Sequence, residues 1–150
     1  MSHVAYEYVA LVRGADTVRD QKAATRVRRF DLEATLTHAR NLVDFFWTPS
    51  GKRQPHRNGV YAIHYLPASV EWKAIRTSLP RFPSEKYEAM SAQLAHVSTS
   101  RSKRNAADFE AEIERIASDL KAVWTRWREE LDSSSASQID QAVADWLAAP

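Results

Sequence analysis

Between residues 105 and 132 the large apolar side chains obey one spacing rule. Phe109, Ile113, Ile116, Leu120, Val123 and Trp127 recur in alternating steps of four and three. Residues so spaced share one side only in a helix, where about 3.6 residues complete a turn. The segment therefore reads as a coiled-coil-like seam of about three heptads, spanning about 42 Å at ~1.5 Å per residue. Trp124 widens one flank, and Glu110, Glu114, Lys121 and Arg128 mark the opposite, wet side. A long helix with one dry side needs other helices to cover it. Three glycines in 150 residues also disfavour a turn-rich β architecture and a Gly-rich phosphate loop.

The remaining chain supplies the covering helices. Val4, Tyr8, Leu11 and Val12 suit a short helix over residues 3–13, which Gly14 is expected to end. A second helix, starting within 16–31, carries Leu32, Leu36, Ala39, Val43 and Phe46 on one face and runs to Trp47. Pro49 and Gly51 stop it. Val60 to Leu66 is short, apolar and aromatic, and fits either a buried helical turn or a short strand. A short helix is predicted around 69–79, and another from the N-cap Ser84 to about Ser100. A last helix, with Ser137 and Asp140 in capping-box spacing, presents Ile139, Val143, Trp146 and Leu147 on one face. The expected fold is all-α: one helical-bundle domain over 1–150, five or six helices, with a long C-terminal amphipathic helix.

Composition bounds the chemistry. No cysteine is present, which excludes disulfides, thiolate metal sites and a thiol nucleophile, and accords with a cytosolic address. No apolar run approaches the ~20 residues of a membrane span, so no membrane association is expected. The net charge of +2 conceals an asymmetry. Residues 1–104 carry a net +8 and residues 105–150 a net −6. Between Asp44 and Glu71 there is no acid, while Lys52, Arg53 and Arg57 share one loop and Arg101, Lys103 and Arg104 another. Such loops can receive phosphate, from a nucleotide or RNA, or can simply be solvated.

Two segments carry a resemblance. His38-Ala39-Arg40-Asn41-Leu42-Val43-Asp44-Phe45-Phe46 is similar to a "HARNL-x-FF" helix of a group of uncharacterised bacterial all-helical proteins. Leu94-Ala95-His96-Val97-Ser98-Thr99-Ser100-Arg101 is similar to the same group's "HLT-x-x-R" segment. The resemblance covers roughly residues 32–101, with Arg57-Asn58-Gly59 standing where the group carries a pair of acids. That group in turn looks distantly like the helical HEPN superfamily of nucleases and nucleotide-binding helpers. The resemblance implies an all-α fold and brings no established activity.

Four residues of these motifs are candidates for an anion pocket: His38, Arg40, His96 and Arg101, with Lys52 and Arg53 as loop contributors. On a helical wheel His38 shares an edge with Asn41, and Arg40 shares the other with Glu33 and Asp44. The structural alternative has His38 and Arg40 gluing the second helix to its neighbours, with Arg40–Asp44 as an i,i+4 ion pair, and Arg101 capping a helix end or pairing with Glu33 or Asp44, while His96 points to another neighbour or to solvent. Arg57 and His64, with six residues between them, resemble the Arg–x(4–6)–His ribonuclease motif of HEPN proteins. There the imidazole would move a proton at a ribose hydroxyl and the guanidinium would steady phosphorane charge, with no metal or other cofactor required. No two histidines stand four apart and no HExxH occurs, so no metal site is expected.

The five tryptophans are assigned to packing rather than to a base-stacking platform, because three fall on helical stripes. The expectation for function is a helical binding or interaction protein, homodimeric through the seam that Trp124 widens. Its rivals are a metal-independent ribonuclease using Arg57 and His64 and a phosphate or nucleic-acid binder using the basic loops.

Overall fold

The computed structural model describes residues 1–23, 29–47, 59–79 and 106–149. These residues form five α-helices and one 3₁₀ turn, with no strand among them. Helix α1 spans Ser2–Ala23, α2 Arg29–Phe46, α3 Trp72–Arg76, α4 Ala106–Glu129 and α5 Ser133–Ala148, and the 3₁₀ turn is Ala62–Tyr65. The expected all-α bundle is what forms. The helix predicted from Ser84 to Ser100 lies outside the described residues.

The seam is the spine of the core. Ile113, Ile116, Leu120, Val123 and Trp127 are all essentially fully buried, while Glu114 and Lys121 are exposed. The side chain of Phe109 lies outside the described ones. Helices α1 and α2 cover α4, and α1 also packs against α2 and α5. Trp124 is buried as well, with its ring stacked on Tyr8 at 4.1 Å and an interplanar angle of 9°. The flank on which a two-fold interface was expected is thus covered by the chain's own first helix.

Helix α1 does not stop at Gly14; it continues for nine more residues to Ala23. The glycine serves a helix crossing rather than a helix end. A Cβ there would overlap Thr35 Oγ1 and lie 3.1 Å from Thr35 Cβ, so only glycine lets α1 and α2 approach this closely. Thr35 is buried and its hydroxyl donates to the Asp31 carbonyl at 2.7 Å, which holds the rotamer in place. Gly14→Ala should therefore destabilise the protein despite alanine's better helix propensity. The expected net loss is about 1–2 kcal/mol, overpacking outweighing the propensity gain. Adding Thr35→Ala should recover most of it in thermal melts, and a cycle without coupling would refute the crossing argument.

The connector resolves into a turn. His64 N–H donates to the Tyr61 carbonyl at 2.9 Å, which closes the 3₁₀ turn and buries Tyr61 and Ala62. The turn is pinned from below by the Trp127 indole, whose N–H donates to the Ala62 carbonyl at 3.1 Å. Helix α3 is shorter than the predicted 69–79. Its Trp72 is buried, and the Trp72 indole and the Arg76 guanidinium both donate to the Phe46 carbonyl at 3.1 Å. They satisfy an end carbonyl of α2 that no intrahelical donor reaches.

The last helix begins one turn earlier than the capping-box reading placed it. Asp132, with an extended backbone, is the N-cap; its carboxylate accepts from the Ser135 backbone N–H and hydroxyl, each at 2.9 Å. Those two hydrogen bonds hold the Asp132 carboxyl below the usual carboxylate range. Asp140, expected in the box, instead accepts from Arg128 across the α4–α5 turn. At the far end Arg13 donates to the Leu147 and Ala149 carbonyls, so α1 caps the C-terminus of α5.

Candidate functional site

The most developed polar cluster lies where α1 meets α2 and α5. Glu7 stands on the buried stripe of α1 among Val4, Leu11 and Val18, and is itself buried. A carboxylate there requires partners. Helix α2 supplies them from His38 and Asn41, one turn apart on a single edge. His38 Nδ1 donates to Glu7 Oε2 at 2.7 Å, and the Asn41 side chain also hydrogen-bonds the carboxylate. From α1 itself, His3 Nε2 lies 3.5 Å from Glu7 Oε1.

Burial pushes the Glu7 pKa up. The hydrogen bonds from His38 and Asn41, with the charges of His38 and His3, outweigh it and hold the carboxyl below its ordinary value. Aromatic rings close the cluster on the α5 side. The Tyr6 ring meets His38 edge-on at 5.4 Å, and Trp146 lies against Tyr6 at 4.9 Å. The arrangement fixes the imidazole, with Nδ1–H on the acid and the opposite nitrogen turned away from it. It also ties three helices at one point.

His38 is thus engaged between helices. Arg40 lies on the other edge of α2, its Nε 3.9 Å from Asp44 Oδ2 with both side chains partly exposed. An i,i+4 ion pair on a partly exposed helix edge contributes about 0.2–0.5 kcal/mol. The two residues face different neighbours. Their expected pocket partners His96 and Arg101, and the loop cations Lys52 and Arg53, lie outside the described residues.

Of the ribonuclease pair, Arg57 also lies outside the described residues. His64 is exposed on the 3₁₀ turn. Its Nδ1 accepts the Tyr61 backbone N–H at 3.2 Å, and its ring sits against the Tyr61 ring at 5.6 Å. That bond leaves the neutral ring's proton on Nε2. Among the described residues no group of three His, Asp or Glu could hold a metal ion, and no helix is long and apolar enough to cross a membrane.

Trp72, Trp124 and Trp127 are core residues, and Trp47 packs against the core's edge. Trp146 is different. Expected on a buried face, it is 38% exposed, and Leu147 beside it is 50% exposed. The face is fully buried at Ile139 and only partly covered at its last turn. Glu7 and Tyr6 were not anticipated as site residues. The available signal was an acid on an apolar stripe, three residues after Val4 and four before Leu11.

These features define a helical bundle with a polar tie at one helix junction and an apolar exit on its last helix. No protein-family profile, curated protein or solved structure matches the chain.

Proposed function

We propose that this chain is a cytosolic helical interaction module that acts through surface contacts. One observation carries the reading. The histidine with the best-placed acid, His38, is engaged in holding helices together, while a tryptophan and a leucine stand exposed on the final turn of α5. Tryptophan is among the residue types enriched at the energetic centres of protein interfaces.

The ribonuclease reading draws on His64, an exposed imidazole whose orientation the backbone sets. A single experiment separates the two. Purified protein is incubated with single-stranded RNA in chelator, beside a His64→Ala variant. The interaction module leaves the RNA intact. Cleavage that disappears in His64→Ala would overturn it and establish the metal-independent nuclease. A binder using the basic loops would instead retain RNA without turnover, with an affinity that falls steeply with salt.

A further inference from the structure

The Glu7–His38 contact uses one nitrogen of the imidazole and leaves the other. The 2.7 Å bond to an ionised carboxylate places a proton on Nδ1, so in the neutral ring Nε2 carries the lone pair. Among the described residues none bonds Nε2, and this nitrogen reaches solvent on a side chain that is 18% exposed. The lone pair also has a fixed direction. Asn41 holds Glu7 from α2, and the Tyr6 ring meets the imidazole edge-on. The other described histidines lack this combination. His64 accepts the Tyr61 backbone N–H at Nδ1, so the free nitrogen of its neutral ring is protonated. His3 meets Glu7 only at 3.5 Å, on a side chain that is 87% exposed, and its ring is loosely held.

We propose that His38 is a phosphoryl-accepting imidazole, modified at Nε2. The Nε2 lone pair attacks phosphorus, and the N–P bond forms as the bond from phosphorus to the leaving group breaks. The leaving group departs with that electron pair, and Nδ1 keeps its proton throughout. The ring becomes cationic, and the Glu7 carboxylate on Nδ1 stabilises that charge. Two features select the electrophile. Acyl transfer needs hydrogen-bond donors for an oxyanion, and His38 stands mid-helix, where the backbone N–H groups are spent within α2. A phosphate ester needs an acid to protonate its departing alkoxide. Among the described residues the carboxyl bonded to this ring is that of Glu7, on the far nitrogen. The donor is therefore a compound whose leaving group departs unaided: an acyl phosphate, which releases a carboxylate, or a phosphoramidate, which releases an amine. Phosphoryl transfer asks little covalent chemistry of the accepting protein beyond a positioned nucleophile. This role uses the nitrogen that packing leaves free, and it does not depend on the interaction reading.

Potassium phosphoramidate at mildly alkaline pH is the probe. Intact mass should show one phosphoryl group added, and peptide mapping should place it at His38. Modification there should run about tenfold faster than at His3, despite the greater exposure of His3. The adduct should be lost in acid and kept in alkali, as a P–N bond requires, and His38→Gln should remove it. Glu7→Gln should slow the reaction at His38 about tenfold by removing the counter-charge, and leave the rate at His64 unchanged. If Glu7→Gln unfolds, which a single rate at all its histidines would reveal, the comparison of His38 with His3 in the parent decides. Modification of His38 no faster than of His3, or at the parent rate in a folded Glu7→Gln protein, overturns the proposal.

Discussion

Trp127→Ala will lower the free energy of unfolding by about 3–5 kcal/mol, the cost of removing a large buried aromatic. Trp127 is fully buried, and its ring meets Phe45 and Phe46 edge-on at 5.2 and 5.8 Å and Trp124 at 5.4 Å. Its indole N–H is also the donor that fixes the 3₁₀ turn through Ala62. Truncation therefore opens a cavity and leaves a buried carbonyl without that partner. Trp127→Phe separates the two losses: it keeps most of the packing and should cost about 1–3 kcal/mol for the orphaned carbonyl. Leu120→Ala, one seam step earlier, should cost about 2–5 kcal/mol, and Lys121→Ala on the wet side should stay within about 0.5 kcal/mol. Urea melts decide. Losses below about 1 kcal/mol at both seam positions would show that α4 is peripheral to the core.

His38→Ala will cost about 1.5–3 kcal/mol at neutral pH, the range for hydrogen bonds to charged groups. The loss has a pH signature that a packing defect lacks. In the parent, Glu7 is held below its ordinary value, so its contribution is present above the usual glutamate pKa of about 4.3. It is lost as pH falls through the depressed folded value. Without His38, burial is opposed only by Asn41 and His3, and the carboxyl's pKa rises. The acid loss of stability should then be smaller in His38→Ala than in the parent, because the variant has already lost at neutral pH what the parent loses as Glu7 is protonated. The two curves should converge once Glu7 is protonated in both. Glu7→Gln should flatten that limb. Urea midpoints followed from about pH 3 to pH 8 supply the test. Parallel curves for parent and His38→Ala would show that the imidazole does not support the carboxylate.

The legible parts of the fold share one property: their signal lies in local spacing. The α4 seam is readable because five of its residues sit on one face whatever packs against it. Helix α2 is readable for the same reason, and its wheel correctly puts His38 and Asn41 on one edge. The errors arise where a residue's role depends on a neighbour remote in sequence. Gly14 looks like punctuation until Thr35 is brought against it. Trp124 looks like an interface residue until Tyr8 is laid on it. Asp140 looks like half of a capping box until Arg128 claims it. Trp146 follows the periodicity of a buried face, yet it is covered only in part, with Tyr6 against its ring.

For the site, the sequence supplied His38 and withheld its acid. Glu7 lies 31 residues away on another helix, and nothing in local spacing links the two. The asymmetry of charge between the two parts of the chain is fully visible in the residues.

By itself, then, the sequence determined that this chain builds helices, where the longest one runs and which side of it is dry, because side-chain periodicity is a property of a single helix. Only the tertiary structure decided which helix covers which face, which carboxylate meets the imidazole and which apolar residues stay outside. Those are contacts between segments far apart in the chain. Their geometry is set by close packing of whole helices, and no spacing within one segment encodes it.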